Sequence, residues 1–354
     1  MKKILLILCL LLCSGCSDYV EINDLVIIPG MIIDYKEESF EITSELILND
    51  EKSSVKVITT KCKMIDKCLS DISNELNKNI LIYHLKVLIL TKDVLKNNVD
   101  FYDYFLRNSK SKMNYDVFVT DEKYIKDIFK INTNSNGVSL YIEQLAIYNK
   151  KLMSSSISLS FIDLVYKNLE KGLDPIFPNI TIKEDENGEK NINLDNLIFF
   201  KDNKEITLNE NQSINYNILT NNVGQSVIDL ECDGGSFSIN IDSAKTKKNW
   251  KENTMNFNIK LVADVNNYKC GYDLNDKNTI KKLNKLTEKE LKASLNDVIN
   301  ISKTNNYDFL GIGNYIYKHD NKYYNKIKDT LDLNNVKTNI DINVTINSIG
   351  EKRR

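Results

Sequence analysis

The apolar residues of the first hundred positions change between the spacing of strands and the spacing of helices. Residues 25–33 form a β-rich apolar run, and in residues 40–48 apolar side chains alternate with mostly polar ones. These two segments predict an antiparallel pair that turns at residues 35–39. Residues 55–60 continue the strand pattern, and residues 64–76 carry apolar side chains at helical spacing.

The next apolar run, residues 80–90, contains polar interruptions, which predicts one buried strand rather than a membrane helix. Residues 94–106 return to helical spacing, residues 113–120 predict a strand, and Asp121 is placed to cap a short helix that ends at Phe129. This order of strand, helix and strand indicates helices packed on a sheet.

The middle of the chain continues with helices and hairpins. Helical spacing covers residues 141–151 and 159–169. Hairpins are predicted over residues 180–192 and 197–208, and the helix that follows them runs to Leu219.

The last third reads as strands first and then one long helix. Residues 227–231, 237–245 and 255–265 alternate strongly and predict an antiparallel sheet with polar outer faces. Residues 274–304 hold the longest helical pattern, with an apolar stripe at core-facing spacing, and residues 336–346 form a final alternating strand. This order is that of an α+β protein. We therefore predict mixed and antiparallel sheets packed with helices, in two to three subdomains.

Two of the three prolines, Pro175 and Pro178, lie together and fix an extended path where a helix cannot continue. We place the main domain boundary directly after them. The prediction is an N-terminal α+β domain over residues 16–178 and a C-terminal one over residues 179–354, with residues 179–222 as a candidate small middle subdomain.

The first residues have the order of a secretory signal: two lysines, an unbroken apolar run over residues 4–12, and the small-residue sequence Cys13-Ser14-Gly15-Cys16. A membrane-spanning helix needs roughly 20 apolar residues, so this run is too short to be an ordinary span. Its end resembles the lipobox of bacterial lipoproteins. We expect residues 1–15 to be the signal peptide and Cys16 to be acylated.

Charge and cysteine content narrow the possible classes. The formal net charge is -2, which does not suit a nucleic-acid binder. Four cysteines follow the leader and Cys16, namely Cys62, Cys68, Cys232 and Cys270, and none has the spacing of a zinc site. Outside the cytoplasm they are free to form disulfides, but in a chain of this size we expect buried free thiols.

Candidate catalytic chemistry is sparse. The two histidines are His84, expected in the core of its strand, and His319, expected on the surface at a helix start. They do not suggest a nucleophile with its base and orienting group. The pair Gly311 and Gly313 follows a helix and lacks the third glycine of a nucleotide-binding loop. The sequence Asp233-Gly234-Gly235 is expected to be a hairpin turn.

Four segments, in order along the chain, carry a family resemblance. The first runs from Cys16 to Asp34, and its matching residues are Cys16, Asp18, Glu21, Ile22, Leu25, Gly30 and Asp34. The other three are the Asp-Pro stretch at 172–178, the apolar-Phe-Lys strand at 197–201 and the Gly-x-Gly turn at 308–314. Together they resemble the C-subunit lipoproteins of spore nutrient-germinant receptors, the Ger(x)C family. Ser17 stands where the family has tryptophan.

The resemblance implies a non-enzymatic subunit, without a cofactor, held by the acylated Cys16 in the lipid bilayer at the outer face of the inner spore membrane. It also implies two integral-membrane partners, the A and B receptor subunits, and a role in assembly or signalling of the receptor during germination. Neither the nutrient nor direct binding of a small ligand by this chain follows from it.

A solute-binding lipoprotein of a membrane transporter is the alternative, because it would share the lipobox and the size. Such a protein is expected to alternate strands and helices in both halves. The strand-rich second half of this chain argues against it.

Overall fold

The structure is a computed structural model, and it describes residues 24–48, 54–108, 111–133, 137–274, 276–329 and 331–347. The strands in these ranges are β1 (Leu25–Lys36), β2 (Ser39–Leu48), β3 (Val55–Cys62), β4 (Asn79–Leu81), β5 (Val87–Thr91), β6 (Asp116–Thr120), β7 (Phe177–Glu184), β8 (Lys190–Asn193), β9 (Leu197–Lys201), β10 (Lys204–Leu208), β11 (Ser226–Cys232), β12 (Gly235–Lys251), β13 (Thr254–Tyr268) and β14 (Lys337–Ile346).

The helices in the same ranges are α1 (Ile65–Leu76), α2 (Lys92–Lys96), α3 (Tyr102–Arg107), α4 (Ile125–Ile128), α5 (Val138–Leu152), α6 (Phe161–Leu169), α7 (Glu210–Thr220), α8 (Lys277–Thr304), α9 (Ile312–His319) and α10 (Asn321–Ile327). Mixed and antiparallel sheets packed with helices confirm the predicted α+β class.

A 10-stranded mixed sheet holds the strands of the first part of the chain. Its main order is β10-β9-β7-β6-β5-β1-β2-β3, with β4 added to β1 and β8 added to β7. The central strands β1, β5, β6 and β7 are parallel, and the predicted pair β1 and β2 is antiparallel. The turn of this pair lies at Glu37 and Glu38, inside the predicted 35–39.

Both faces of the central strands are covered. Met31 and Ile33 of β1 pack into the larger apolar core, while Ile32 packs into a second core on the opposite face, which includes Ile142 and Ala146 of α5. Parallel strands need helices on both faces, so their sequence is a continuous apolar run rather than an alternating one. This explains why residues 25–33 lack the alternation of residues 40–48.

Helix α5 crosses the sheet near the starts of the parallel strands. Glu45 of β2 is fully buried, and its carboxylate accepts the backbone N–H groups of Val138 at 2.5 Å and Ser139 at 2.8 Å. A carboxylate at a helix N-terminus satisfies free N–H groups and the helix dipole. Gly30 allows this approach, because a Cβ there would lie 1.8 Å from Ser139 Oγ.

The second sheet has the order β11-β12-β13-β14. The first three strands are antiparallel, as predicted, and β14 joins β13 in parallel. Helix α8 packs on β14 and α7. Its fully or almost fully buried apolar residues belong to the predicted stripe and are Leu283, Leu291, Leu295, Val298 and Ile299. The Asp233-Gly234-Gly235 hairpin turn is confirmed between β11 and β12.

The prediction of one strand over residues 80–90 is wrong. β4 pairs with residues Leu25 to Ile27 of β1, and β5 pairs with Gly30 to Ile33, so residues 82–86 form a loop between them. Pro29 lies at the break and has no N–H to donate to a neighbouring strand, while its carbonyl accepts the N–H of Lys86. His84 is therefore exposed in this loop and not a core residue.

Two further expectations are corrected. The helical pattern of residues 94–106 is divided between α2 and α3, because the chain turns at Asn98, whose φ is 48°. The cysteines are not free: Cys62 is bonded to Cys68, and Cys232 to Cys270. The first disulfide joins the end of β3 to α1, and the second joins β11 to the segment after β13.

β7 begins at Phe177 and crosses the predicted boundary at residue 178, and β7 to β10 extend the first sheet. The domain limits of 16–178 and 179–354, with a middle subdomain over 179–222, stay a prediction.

Candidate functional site

Two of the segments singled out in the sequence meet at the junction between the two sheets. Asp174 Oδ2 accepts the N–H of Asp308 at 2.6 Å, and the Asp308 carbonyl accepts the N–H of Asp174 at 3.0 Å. Asp174 precedes β7, and Asp308 lies between α8 and α9. A pair of reciprocal hydrogen bonds therefore joins segments 134 residues apart in the chain.

The Asp308 side chain organises the turn that precedes α9. Its Oδ1 accepts the N–H of Ile312 at 2.8 Å, and its Oδ2 accepts the N–H of Gly313 at 2.6 Å. Burial raises the pKa of this carboxyl to about 6, although the two backbone hydrogen bonds act in the opposite direction. Asp308 is thus a buried cap of a helix N-terminus.

Glycines make the close approach of the two segments possible. A Cβ on Gly172 would lie 2.6 Å from the carbonyl carbon of Gly313, and Gly172 has a φ of 68°. Gly311 has a φ of 67°, in the left-handed region. Asn314 N–H donates to the Gly172 carbonyl at 2.6 Å. The Gly-x-Gly pair therefore serves the packing of the two segments.

Aromatic and basic side chains also make contacts at the junction. The Tyr307 hydroxyl donates to the Pro175 carbonyl at 2.7 Å, and the Tyr307 ring stacks on Phe199 with centroids 4.5 Å apart. Lys248 Nζ donates to the Leu310 carbonyl at 2.5 Å, and burial lowers the pKa of Lys248. The sequence pattern did not indicate Lys248, since a lysine on a long alternating strand is expected to face solvent.

A second connection lies at the end of α5. Asn217 Nδ2 donates to the carbonyls of Ser154 and Ser156 at 2.7 and 2.9 Å. The N–H of Gln225 donates to the Lys151 carbonyl at 2.9 Å, which satisfies an end group of the helix. Residues 151–156 are thereby bonded both to α7 and to the segment that enters β11.

A groove follows the same junction on the surface. It consists of two adjoining depressions of about 630 and 440 Å³ that share Lys150, Ser158 and Asn222. Ile147 lines the first depression and Tyr166 the second. We call it the junction groove.

The carboxylates that line the junction groove are already bonded. Asp116 Oδ1 accepts from Ser158 at 2.9 Å, and Asp163 Oδ2 accepts from the Ser160 hydroxyl at 2.6 Å. Burial also raises the pKa of Asp116. Glu170 pairs with Lys318 at 3.1 Å. Counting Lys150, Lys151, Lys167 and Lys318, the lysines that line the groove outnumber its carboxylates by four to three.

One acidic cluster has the composition of a metal site. Carboxylate oxygens of Asp34, Asp93 and Glu122 lie within 4.8 Å of one another. Each carboxylate already has a partner. Asp34 accepts from Thr91 at 2.6 Å and pairs with Lys36 at 2.5 Å, Asp93 pairs with Lys96 at 3.9 Å, and Glu122 accepts the N–H of Asp93 at 3.0 Å. These bonds account for the cluster as a structural feature.

The histidines are far apart in the fold. His319 is exposed, as expected, but it ends α9 instead of starting a helix; its Nδ1 lies 2.9 Å from the Tyr315 carbonyl and its ring stacks on Tyr315. The predicted lipid site, Cys16, lies outside the described residues. Among the helices that the structure describes, none is long and apolar enough to cross a membrane.

Both halves of the chain match known protein families, and the fold matches a solved structure. Residues 18–182 match the family model described as the spore germination protein N-terminal domain, and residues 195–350 match the spore germination B3/GerAC-like C-terminal domain. The crystal structure of the GerBC protein superposes with a TM-score of 0.54 at 16% identity and covers 94% of this chain and 100% of that one. The two-sheet α+β fold is therefore that of a spore germination protein.

Two curated relatives come from Bacillus subtilis (strain 168). Spore germination protein KC is 20% identical over 367 residues, which cover 93% of this chain and 90% of that protein. Spore germination protein A3 is 24% identical over 267 residues, covering 71% of this chain and 69% of that protein. The chain belongs to the Ger(x)C family, as its sequence motifs predicted.

Proposed function

We propose that this chain is the lipid-anchored C subunit of a spore nutrient-germinant receptor and that it acts in assembly or signalling of the receptor. The observation that carries the proposal is the coverage of both halves, residues 18–182 and 195–350, by spore germination domain models. Its partners would be the integral-membrane A and B subunits. The chain would act by contact and not by catalysis.

Membrane attachment would come from Cys16. The apolar run of residues 4–12 and the small residues before Cys16 support export and acylation. Two or three acyl chains give durable attachment, whereas a single chain holds only marginally. The protein would then be located at the outer face of the inner spore membrane, with the described residues outside the bilayer.

The test is Cys16→Ala, with Cys13→Ala as the matched control in the same leader. We expect Cys16→Ala to move the protein from the membrane fraction and to abolish the germination response to the nutrient. Cys13→Ala should leave both unchanged. A Cys16→Ala protein that stays in the membrane fraction and supports normal germination would contradict the proposal.

A further inference from the structure

The junction groove is flanked by large apolar side chains that solvent reaches. Ile147 of α5 is 61% exposed, and Tyr166 and Leu169 of α6 are 60% and 75% exposed. Tyr166 and Leu169 are three residues apart on one helix, so they share a face. Single exposed apolar residues are ordinary, but a group beside a groove marks a contact surface.

The charge of the groove is unbalanced. Lys150, Lys151 and Lys167 line it, and within the described residues none of these three has an ion-pair partner. Its carboxylates are Asp116, Asp163 and Glu170, and Glu170 pairs with Lys318, so the four lysines of the groove exceed its carboxylates by one charge. The positive charge that remains is complementary to a ligand that carries carboxylates, although the chain as a whole is slightly acidic.

The groove also lies on the side of the molecule where the described chain begins. Asp116 is the first residue of β6 and is in register with Val87 of β5, which pairs with Gly30 of β1. Gly30 is five residues from Leu25, the start of β1. The eight residues from Cys16 to Asp24 span at most about 29 Å when extended. An anchored chain would therefore hold the groove close to membrane proteins.

We propose that the junction groove binds an acidic, amphipathic segment of a partner membrane protein, with apolar side chains against Ile147 and Tyr166 and carboxylates against Lys150, Lys151 and Lys167. A concave surface of this kind suits a polypeptide segment better than a flat bilayer. Because the groove runs along the junction of the two sheets, its occupant contacts both parts of the chain. The identity of the partner as a receptor subunit rests on the proposed function.

The test uses the full-length chain in its spore-forming host, with the photo-crosslinking residue benzoylphenylalanine at Ile147 or at Tyr166. Met64 is the control position, since it is 63% exposed and follows β3. β3 is an edge strand of the first sheet, four strands away from β6, which carries Asp116 of the groove. We expect adducts with an integral-membrane protein from positions 147 and 166 but not from 64. Equal adducts from all three positions, adducts only with lipid, or adducts only with a second copy would overturn the proposal.

A charge-reversal variant gives a second measurement. Lys150→Glu, Lys151→Glu and Lys167→Glu together should lower the adduct yield from position 166 about tenfold, since reversal removes three attractive charges and adds repulsion. Reversal of the exposed Lys126, Lys245 and Lys260 serves as the matched control. An unchanged yield would contradict the proposal.

The two proposals fail in distinguishable ways. If Cys16→Ala leaves the protein on the membrane while the adduct map is as expected, lipid anchoring is wrong and the groove is right. If Cys16→Ala releases the protein but the groove positions give no adduct above Met64, anchoring stands and the groove proposal is wrong.

Discussion

Asp174 and Asp308 exchange two hydrogen bonds at the junction of the two sheets, one through a carboxylate at 2.6 Å and one through a carbonyl at 3.0 Å. Both side chains are largely removed from water, and burial raises the pKa of each carboxyl. The junction is therefore built from one buried and one partly buried acidic group, whose hydrogen bonds go to backbone N–H groups. Such groups are costly to leave without partners.

The first prediction concerns Asp308→Asn. At pH 5 the neutral carboxyl of the wild type can still accept at both oxygens, but the amide turns an NH₂ group, which only donates, toward the N–H of Ile312 or Gly313, so one buried donor loses its partner. We expect the free energy of unfolding at pH 5 to fall by about 1–3 kcal/mol, measured by urea denaturation of the chain starting at Ser17. The exposed Asp341→Asn is the control and should change it by less than about 0.5 kcal/mol.

The second prediction is a pH dependence. The pKa of Asp308 rises from an ordinary 3.8 to about 6 on folding, so between these values the native state binds more protons than the unfolded state. The raised pKa of Asp308 therefore stabilises the folded state by about 3 kcal/mol below pH 3.8. This stabilisation is lost as the pH rises through about 6. Asp174 contributes in the same direction.

The pH measurement is a comparison of the wild type with Asp308→Asn at pH values from 4 to 7. The difference in unfolding free energy between the two proteins should shrink as pH rises, because only the wild type has the Asp308 carboxyl to ionise. A difference that stays constant over this range would show that Asp308 has the same pKa in the folded and unfolded chain.

The third prediction separates crowding from backbone strain. Gly172→Ala places a methyl group 2.6 Å from Gly313 and also forces alanine to a φ of 68°, whereas Gly188→Ala has a similar φ of 79° with nothing within 4 Å. We expect a loss of about 1 kcal/mol for Gly188→Ala and about 2–4 kcal/mol for Gly172→Ala. Equal losses would mean that the junction yields to the added methyl group.

The fourth prediction concerns the disulfides. In the chain-entropy account, a cross-link that closes a longer loop restricts the unfolded state more. The Cys232–Cys270 bond spans 38 residues and the Cys62–Cys68 bond spans 6. Replacing both cysteines by serine should lower the free energy of unfolding by about 4 kcal/mol for Cys232 and Cys270, and by about 2 kcal/mol for Cys62 and Cys68. Calorimetric unfolding of the two double variants checks the order, which a reversed ranking would contradict.

Local periodicity was sufficient for most of the elements. The β1 and β2 pair, the hairpin of β7 and β8, the antiparallel sheet and α8 all follow from the spacing of apolar residues. The failures occur where a partner strand decides the outcome. Residues 80–90 are apolar throughout most of their length, but they pair with a strand interrupted at Pro29, and this interruption lies 50 residues away in the sequence.

The sequence shows the two segments of the junction but not the contact between them. The motifs at 172–178 and 308–314 are each evident in the sequence, but no periodicity indicates that Asp174 and Asp308 meet. The same holds for the cysteines, because their pairing depends on strand register, and for Glu45, whose position in an alternating strand gave no sign that it caps α5. Contacts between distant segments are set by the assembled layers and not by local spacing.

The position of β1 determines how the molecule would respond to mechanical load. β1 carries the start of the described chain, and it is hydrogen-bonded to β2 on one side and to β4 and β5 on the other. A force applied at Asp24 along the axis of β1 loads these bonds in shear, so many must break together. A tether at this point would pull on the middle of the sheet, where the fold resists extension, and not on an edge strand that could peel away.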